Sequence, residues 1–209
     1  MVMRHIRRLG RAISAIFKHH KNVRIGIYGP VNAGKTTLAN RICMDWLCEE
    51  LGAVSEVPHE TREIQMKERV TMERRGKKLT FKLVDTPGIA TKIDFEDFLK
   101  YGLSAPEAKK RAKEATRGVI EAIKWLDQMD LVLVVMDAAK DPLNQVNVTI
   151  LGNLDARDIP VVIVANKTDL KEAKPHKVRE AFPNYTTIGV SAKSGKNVPD
   201  LYEHLFKVL

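Results

Sequence analysis

Val23-Arg-Ile-Gly-Ile-Tyr28 runs directly into Gly29-Pro-Val-Asn-Ala-Gly-Lys35-Thr36 and then into Thr37-Leu-Ala-Asn-Arg-Ile-Cys-Met-Asp-Trp-Leu47. The first stretch is apolar enough for a buried strand and the third has helical spacing. The second fits the phosphate-binding pattern G-x-x-x-x-G-K-[ST] at every specified position. Glycines let such a loop wrap closely around a phosphate chain, with successive amides pointing inward at the oxygens. Asn32, Ala33, Gly34, Lys35, Thr36 and Thr37 are therefore expected to line a bound polyphosphate. Lys35 would reach the terminal phosphates, the Thr36 hydroxyl would ligate Mg2+, and the helix N-terminus would add its dipole. A strand–loop–helix unit of this kind belongs to an α/β fold.

Two further motifs sit where such a fold binds ligands, at the carboxyl ends of apolar strands. In Lys82-Leu-Val-Asp85-Thr-Pro-Gly88 a carboxylate closes the strand and a glycine follows. Asp85 can hold magnesium through water, and the Gly88 N–H can face the terminal phosphate. Val162-Ile-Val-Ala-Asn166-Lys167-Thr168-Asp169 supplies the base site. The Asp169 carboxylate can accept from N1–H and the exocyclic amine of guanine, a donor pair that adenine lacks, so discrimination should be large. Asn166 can tie the base loop to the phosphate loop, and the Lys167 stem can cover the base plane. Ser191-Ala-Lys193 follows the next strand, with the Ala192 N–H available to the guanine carbonyl.

With these four motifs in this order, residues 22–209 resemble a small Ras-like GTPase domain, most closely the Era-like branch of the translation-factor-related P-loop GTPases. The resemblance implies a three-layer G domain with a mostly parallel six-stranded sheet and one antiparallel edge strand. It also implies a molecular switch that binds GTP and GDP with Mg2+ and hydrolyses GTP. The family's fifth element is a switch threonine completing the magnesium shell. Thr61, in Pro58-His-Glu-Thr-Arg-Glu63, is the best candidate, with Ser55 and Thr71 as competitors. Lys35, Thr61, Gly88 and Asn32 form the catalytic set implied by the resemblance. Full Era proteins carry a further RNA-binding domain, for which this sequence shows no pattern after its final helix.

Two residues depart from the Ras pattern. Ile89 stands where Ras-like enzymes use a glutamine to orient the attacking water, and an isoleucine cannot hydrogen-bond that water. Intrinsic hydrolysis should then be slow unless another charge is supplied. Asn32 matches an asparagine that coordinates K+ in several Era-like GTPases, so potassium stimulation is one expectation. The other is an ordinary loop asparagine tolerating an unusual backbone angle.

The remaining pattern alternates strands with helices. Strands are expected near 23–28, 62–73, 78–84, 130–136, 160–165 and 186–190, and helices near 35–51, 105–127, 143–157, 175–181 and 198–208. The pair 62–73 and 78–84 flanks Arg74-Arg-Gly-Lys77 and reads as an antiparallel hairpin. The stretch from Ile89 to about Ala112 should hold the second switch and an adjacent helix, with Phe95 and Phe98 either docking a partner or packing inward.

Residues 1–21 stand apart as a basic amphipathic helix. Ile6, Leu9, Ile13 and Ile16 form a stripe, with Arg4, Arg7, Arg8, Arg11 and Lys18 on other faces. That helix can pack on the domain, bind RNA or a ribosomal particle, or lie on an anionic membrane surface. The formal net charge of +9 suits the last two. A nucleotide-dependent membrane- or protein-binding module with negligible turnover is the alternative function. The effector has no signature. Hydrophobic residues make up 44% of the chain, with no long uncharged apolar run, so a membrane span is not expected. Cys43 and Cys48 lie on different faces of one expected helix and make a poor disulfide pair, which suits a reduced, cytoplasmic setting.

Overall fold

A computed structural model describes residues 23–49, 51, 63–90 and 93–207. The expected N-terminal helix, its boundary at residue 21, and Thr61 lie outside them. Six strands form one sheet in the order β2-β3-β1-β4-β5-β6: β1 (Arg24–Tyr28), β2 (Gln65–Arg74), β3 (Lys77–Asp85), β4 (Leu131–Asp137), β5 (Val161–Asn166) and β6 (Thr186–Gly189). All neighbours pair in parallel except β2 with β3, which are antiparallel and place β2 at the edge.

The residues explain the arrangement. β4 and β5, Leu-Val-Leu-Val-Val-Met and Val-Val-Ile-Val-Ala, are buried along their length. Strands of this composition need cover on both faces, and the crossover helices of a parallel sheet supply it. On one face α1 (Lys35–Leu47) and α6 (Val198–Lys207) enclose Leu38, Ile42, Leu83, Leu133, Val164, Leu201 and Leu205. On the other, α3 (Ala105–Trp125), α4 (Gln145–Asp155) and α5 (Pro175–Ala181) enclose Tyr28, Val84, Val132, Val134, Ile150, Leu154 and Val178. The three-layer α/β fold is as expected.

The boundary differences have local causes. The helix expected over 35–51 ends at Leu47 because Cys48 turns left-handed at φ 59° and returns its N–H to Met44 O. Asn40 Oδ1 then accepts from Leu51 N at 2.8 Å and holds the departing chain. A five-residue helix, α2 (Phe95–Leu99), precedes α3. Asp94 caps α2, accepting from Glu96 N at 3.2 Å, and Glu107 caps α3, accepting from Ser104 N at 3.0 Å. Phe98 is 1% exposed and packs on Ala108 and Ala115, so it is a core residue that joins α2 to α3. Lys109 and Lys110 face solvent.

Candidate nucleotide-binding site

Four loops at the carboxyl ends of β1, β3, β5 and β6 carry the motifs, and parallel pairing brings them to one rim of the sheet. β1 lies between β3 and β4, with Ile27 opposite Asp85 on one side and Leu133 on the other. The first loop crosses from β1 to α1. Asn32 takes φ 59° and Gly34 takes φ 91°, and between them the Ala33 amide donates to Pro30 O at 3.4 Å. Lys35 is 6% exposed, and its ammonium donates to Pro30 O at 2.9 Å. The Thr36 hydroxyl donates to Asp85 Oδ2 at 2.6 Å, joining the first motif to the second.

Asp85 has no solvent exposure, and its Oδ1 accepts no hydrogen bond among the described residues. A buried carboxylate oxygen without a partner is costly unless a cation takes it. Beside a threonine hydroxyl it is a fitting donor set for Mg2+, which prefers oxygen ligands. Burial pushes the Asp85 carboxyl up to about 6, against the lowering pull of the Thr36 hydroxyl and Lys35. Burial likewise brings Lys35 down to about 8, opposed by Asp85. Lys35 therefore remains predominantly charged at neutral pH. Asp85 is ionised there but takes up a proton as pH falls through about 6, in competition with any cation. Magnesium-dependent slowing of GDP release should accordingly hold at pH 7.5 and weaken about tenfold per pH unit below 6. A magnesium affinity that stays flat down to pH 5 would show that Asp85 is not the competing group.

Past Asp85 the chain stays fastened to the phosphate loop. The Thr86 hydroxyl donates to Ile27 O at 2.7 Å, and Ile89 N donates to Gly29 O at 3.1 Å in a parallel bridge between Pro30 and Ile89. Gly88 thus sits beside the first loop. The Ile89 side chain is 7% exposed and belongs to the core on the α3 face.

Asn166, buried at 2% exposure, joins the two halves of the site. Its Nδ2 donates to Ala33 O at 2.9 Å, and its Oδ1 accepts from Ala192 N at 2.9 Å. The Ala192 amide expected to face a guanine carbonyl is therefore engaged by Asn166. Ser191 is buried and its Oγ accepts from Ser194 N at 3.1 Å, closing the loop that bears Lys193. Asp169 lies at the mouth, exposed. The Ser191 hydroxyl, first, and the Asp169 backbone amide hold its carboxyl below the usual range, helped by Lys193 and Lys167. It is an ionised acceptor at physiological pH.

Two further contacts lie outside the four motifs. Asp137, at the end of β4 and in register with Asn166, accepts from Lys167 Nζ at 2.7 Å and from Ala139 N at 3.0 Å. It fixes the Lys167 ammonium, while Lys167 itself takes φ 66°. A carboxylate ending an apolar strand was a usable clue. Arg41, on α1, donates to Ala192 O at 3.3 Å and Lys193 O at 3.0 Å. Nothing in its sequence neighbourhood marks it out.

A family model described as 50S ribosome-binding GTPase matches residues 24–167, the span from β1 through Lys167. The chain belongs to that family. It is similar to GTPase Der of Campylobacter hominis, 29% identical over 199 residues, covering 92% of this chain and 38% of the relative. GTPase Der of Pelotomaculum thermopropionicum is 32% identical over 191 residues, covering 87% of this chain and 38% of that protein. The chain thus spans less than two fifths of the length of these Der relatives. Among solved structures, an Aquifex aeolicus Era variant bound to GDP·AlF4− superposes with a TM-score of 0.68 at 21% identity, covering 91% of this chain and 57% of that one. Era in complex with MgGDPNP and nucleotides 1506–1542 of 16S ribosomal RNA gives 0.68 and 21%, covering 91% and 58%. The fold is thus that of an Era/Der-type G domain. No helix among the described residues is long and apolar enough to cross a membrane.

Proposed function

We propose that this G domain binds GTP in preference to ATP and hydrolyses it to GDP and phosphate as a switch acting on ribosomal RNA or a ribosomal particle. The observation that carries the nucleotide part is Asn166, whose one side chain bonds both the phosphate loop and the Ser191–Lys193 loop. A phosphate site and a base site fixed to each other in this way fit a nucleoside triphosphate rather than a free phosphate. The exposed, ionised Asp169 supports guanine as that base, because it can accept from N1–H and the exocyclic amine together.

In this reading the 32–37 amides and the Lys35 ammonium hold the β- and γ-phosphates. Thr36, Asp85 and, from outside the described residues, Thr61 would hold Mg2+, which neutralises charge on the phosphate oxygens when bound. Gly88 would offer its amide to the γ-phosphate. Water attacks the γ-phosphorus in line with departure of the GDP oxygen, so catalysis rests on positioning and charge. No glutamine follows Gly88, and the buried Ile89 side chain has no polar atom to orient the water.

The missing stabilisation is assigned to a potassium ion held with the help of Asn32. The φ of 59° at Asn32 would also suit an asparagine with no cation role, which makes a solution test decisive. Steady-state hydrolysis of the full chain should be at least tenfold faster in KCl than in NaCl at equal ionic strength, and Asn32→Ala should erase the difference. Equal rates in the two salts would remove potassium from the mechanism. GTP hydrolysis undetectable in both would favour the alternative of a nucleotide-dependent binding module.

A further inference from the structure

The β2–β3 turn and the end of α6 meet far from the nucleotide loops, at the other end of the strands. Arg74, Arg75, Lys77, Glu203, Phe206 and Lys207 line a cavity of about 150 Å³ there. Four of those side chains are cations and one is an anion, an excess of three positive charges. Glu203 is already shared: its carboxylate lies 3.0 Å from Arg74, 3.8 Å from Arg75 and 3.8 Å from Lys207. Arg74 also donates to Pro199 O at 3.4 Å, so it is the structural member of the set. The side chains of Arg75 and Lys207 are 82% and 75% exposed. Phe206, 6% exposed, gives the cavity an apolar wall, and a low-dielectric wall strengthens the field of the cations beside it.

The turn itself is a second observation. Arg74 pairs with Lys77, leaving a two-residue loop in which Arg75 and Gly76 take φ 50° and 74°. Positive φ at both central residues is the type I′ pattern, for which Asn, Asp or Gly is preferred at the first position. Arginine is a poor choice there for folding. Its presence places a guanidinium at the lip of the cavity at the expense of the turn.

We infer that this cavity is a docking site for a phosphodiester group of an RNA backbone. The size argues for a group projecting from a polymer, because small-molecule pockets run to about 300–1,000 Å³. Arginine forks suit phosphate oxygens, and contacts of this kind fix position without reading sequence. The inference rests on the RNA part of the proposed function and adds the surface through which it acts.

The test uses the full chain, a fluorescein-labelled 40-nucleotide single-stranded RNA of mixed sequence, and phosphatidylserine-containing vesicles. The triple variant Arg75→Asn/Lys77→Gln/Lys207→Gln should retain GDP affinity. It should weaken RNA binding on the order of 10-fold near 0.15 M salt and reduce the log–log salt slope by about 0.7, the contribution of the one phosphate the cavity holds. Arg75→Asn alone should melt at the same or a higher temperature while still weakening RNA binding, a combination that a purely structural arginine would not give. RNA binding by the wild type that the triple variant leaves unchanged overturns the cavity alone. No RNA binding by the wild type overturns the RNA target and the cavity together. Loss of vesicle binding with RNA binding intact assigns the cavity to lipid headgroups and overturns the inference.

Discussion

Asp169→Asn should lower GTP affinity by at least a thousandfold and bring xanthosine triphosphate to within reach of the wild-type affinity for GTP. The carboxylate is ionised and set at the mouth by Ser191, so it accepts two hydrogen bonds from a base that offers N1–H beside an exocyclic amine. An asparagine keeps one acceptor and presents a donor in place of the other. Its NH2 opposes the guanine amine but faces the exocyclic oxygen of xanthine favourably. Sites built on hydrogen-bond matching reject a mismatched partner by about 10⁴–10⁵, because a polar group is then left unpaired. Asp169 is exposed in the protein without a base over it, so the substitution should leave the melting temperature within about a degree. Competition of GTP, XTP and ATP against a fluorescent guanine nucleotide reads the switch directly. Retained guanine preference would place the base elsewhere.

Gly34→Ala should have a comparable effect for a different reason. An added Cβ would lie 2.3 Å from Asn166 Nδ2, well inside any contact that real Cβ atoms make, and the residue takes φ 91°, where side chains are strained. Relief requires Asn166 to leave, which unpairs Ala33 O and Ala192 N at once. Two buried backbone groups left unpaired cost about 1–3 kcal/mol each. Nucleotide affinity should fall more than a hundredfold and the melting temperature should drop by several degrees. Asn166→Ala, which breaks the same contacts with no clash, should reproduce most of the affinity loss with less loss of stability. If Gly34→Ala binds GDP normally, the tie between the loops is not what holds the nucleotide.

The nucleotide loops were legible because each is a short-range pattern whose spacing is set by backbone geometry: Gly29 to Thr36, Asp85 to Gly88, and Asn166 to Asp169 each lie within eight consecutive residues. The central strands β4 and β5 were legible because Leu131–Met136 and Val161–Ala165 are apolar on both faces. Long-range contacts were less accessible. Asp137 meets Lys167 from 30 residues away, and Arg41 reaches Lys193 from 152, through packing that no local window contains. Asn166 was expected to bridge the loops, but not to consume the Ala192 amide assigned to the base. A helix was expected beside the second switch, but five residues give too little periodicity to fix the bounds of α2, for which Asp94 and the acidic Glu96 and Asp97 were the local cues. Cys48 ended α1 early through a left-handed angle that a cysteine does not advertise.

β3 is a single strand that ends at one pole in Asp85 and begins at the other in Lys77. Eight steps of about 3.3 Å separate them by about 26 Å. A particle gripping the protein at the Lys77 pole leaves the opposite mouth open to solution. GDP could then leave and GTP enter while the particle stays attached, so turnover of nucleotide would not require release. The number of hydrolysis cycles per encounter would be set by how long the particle holds on.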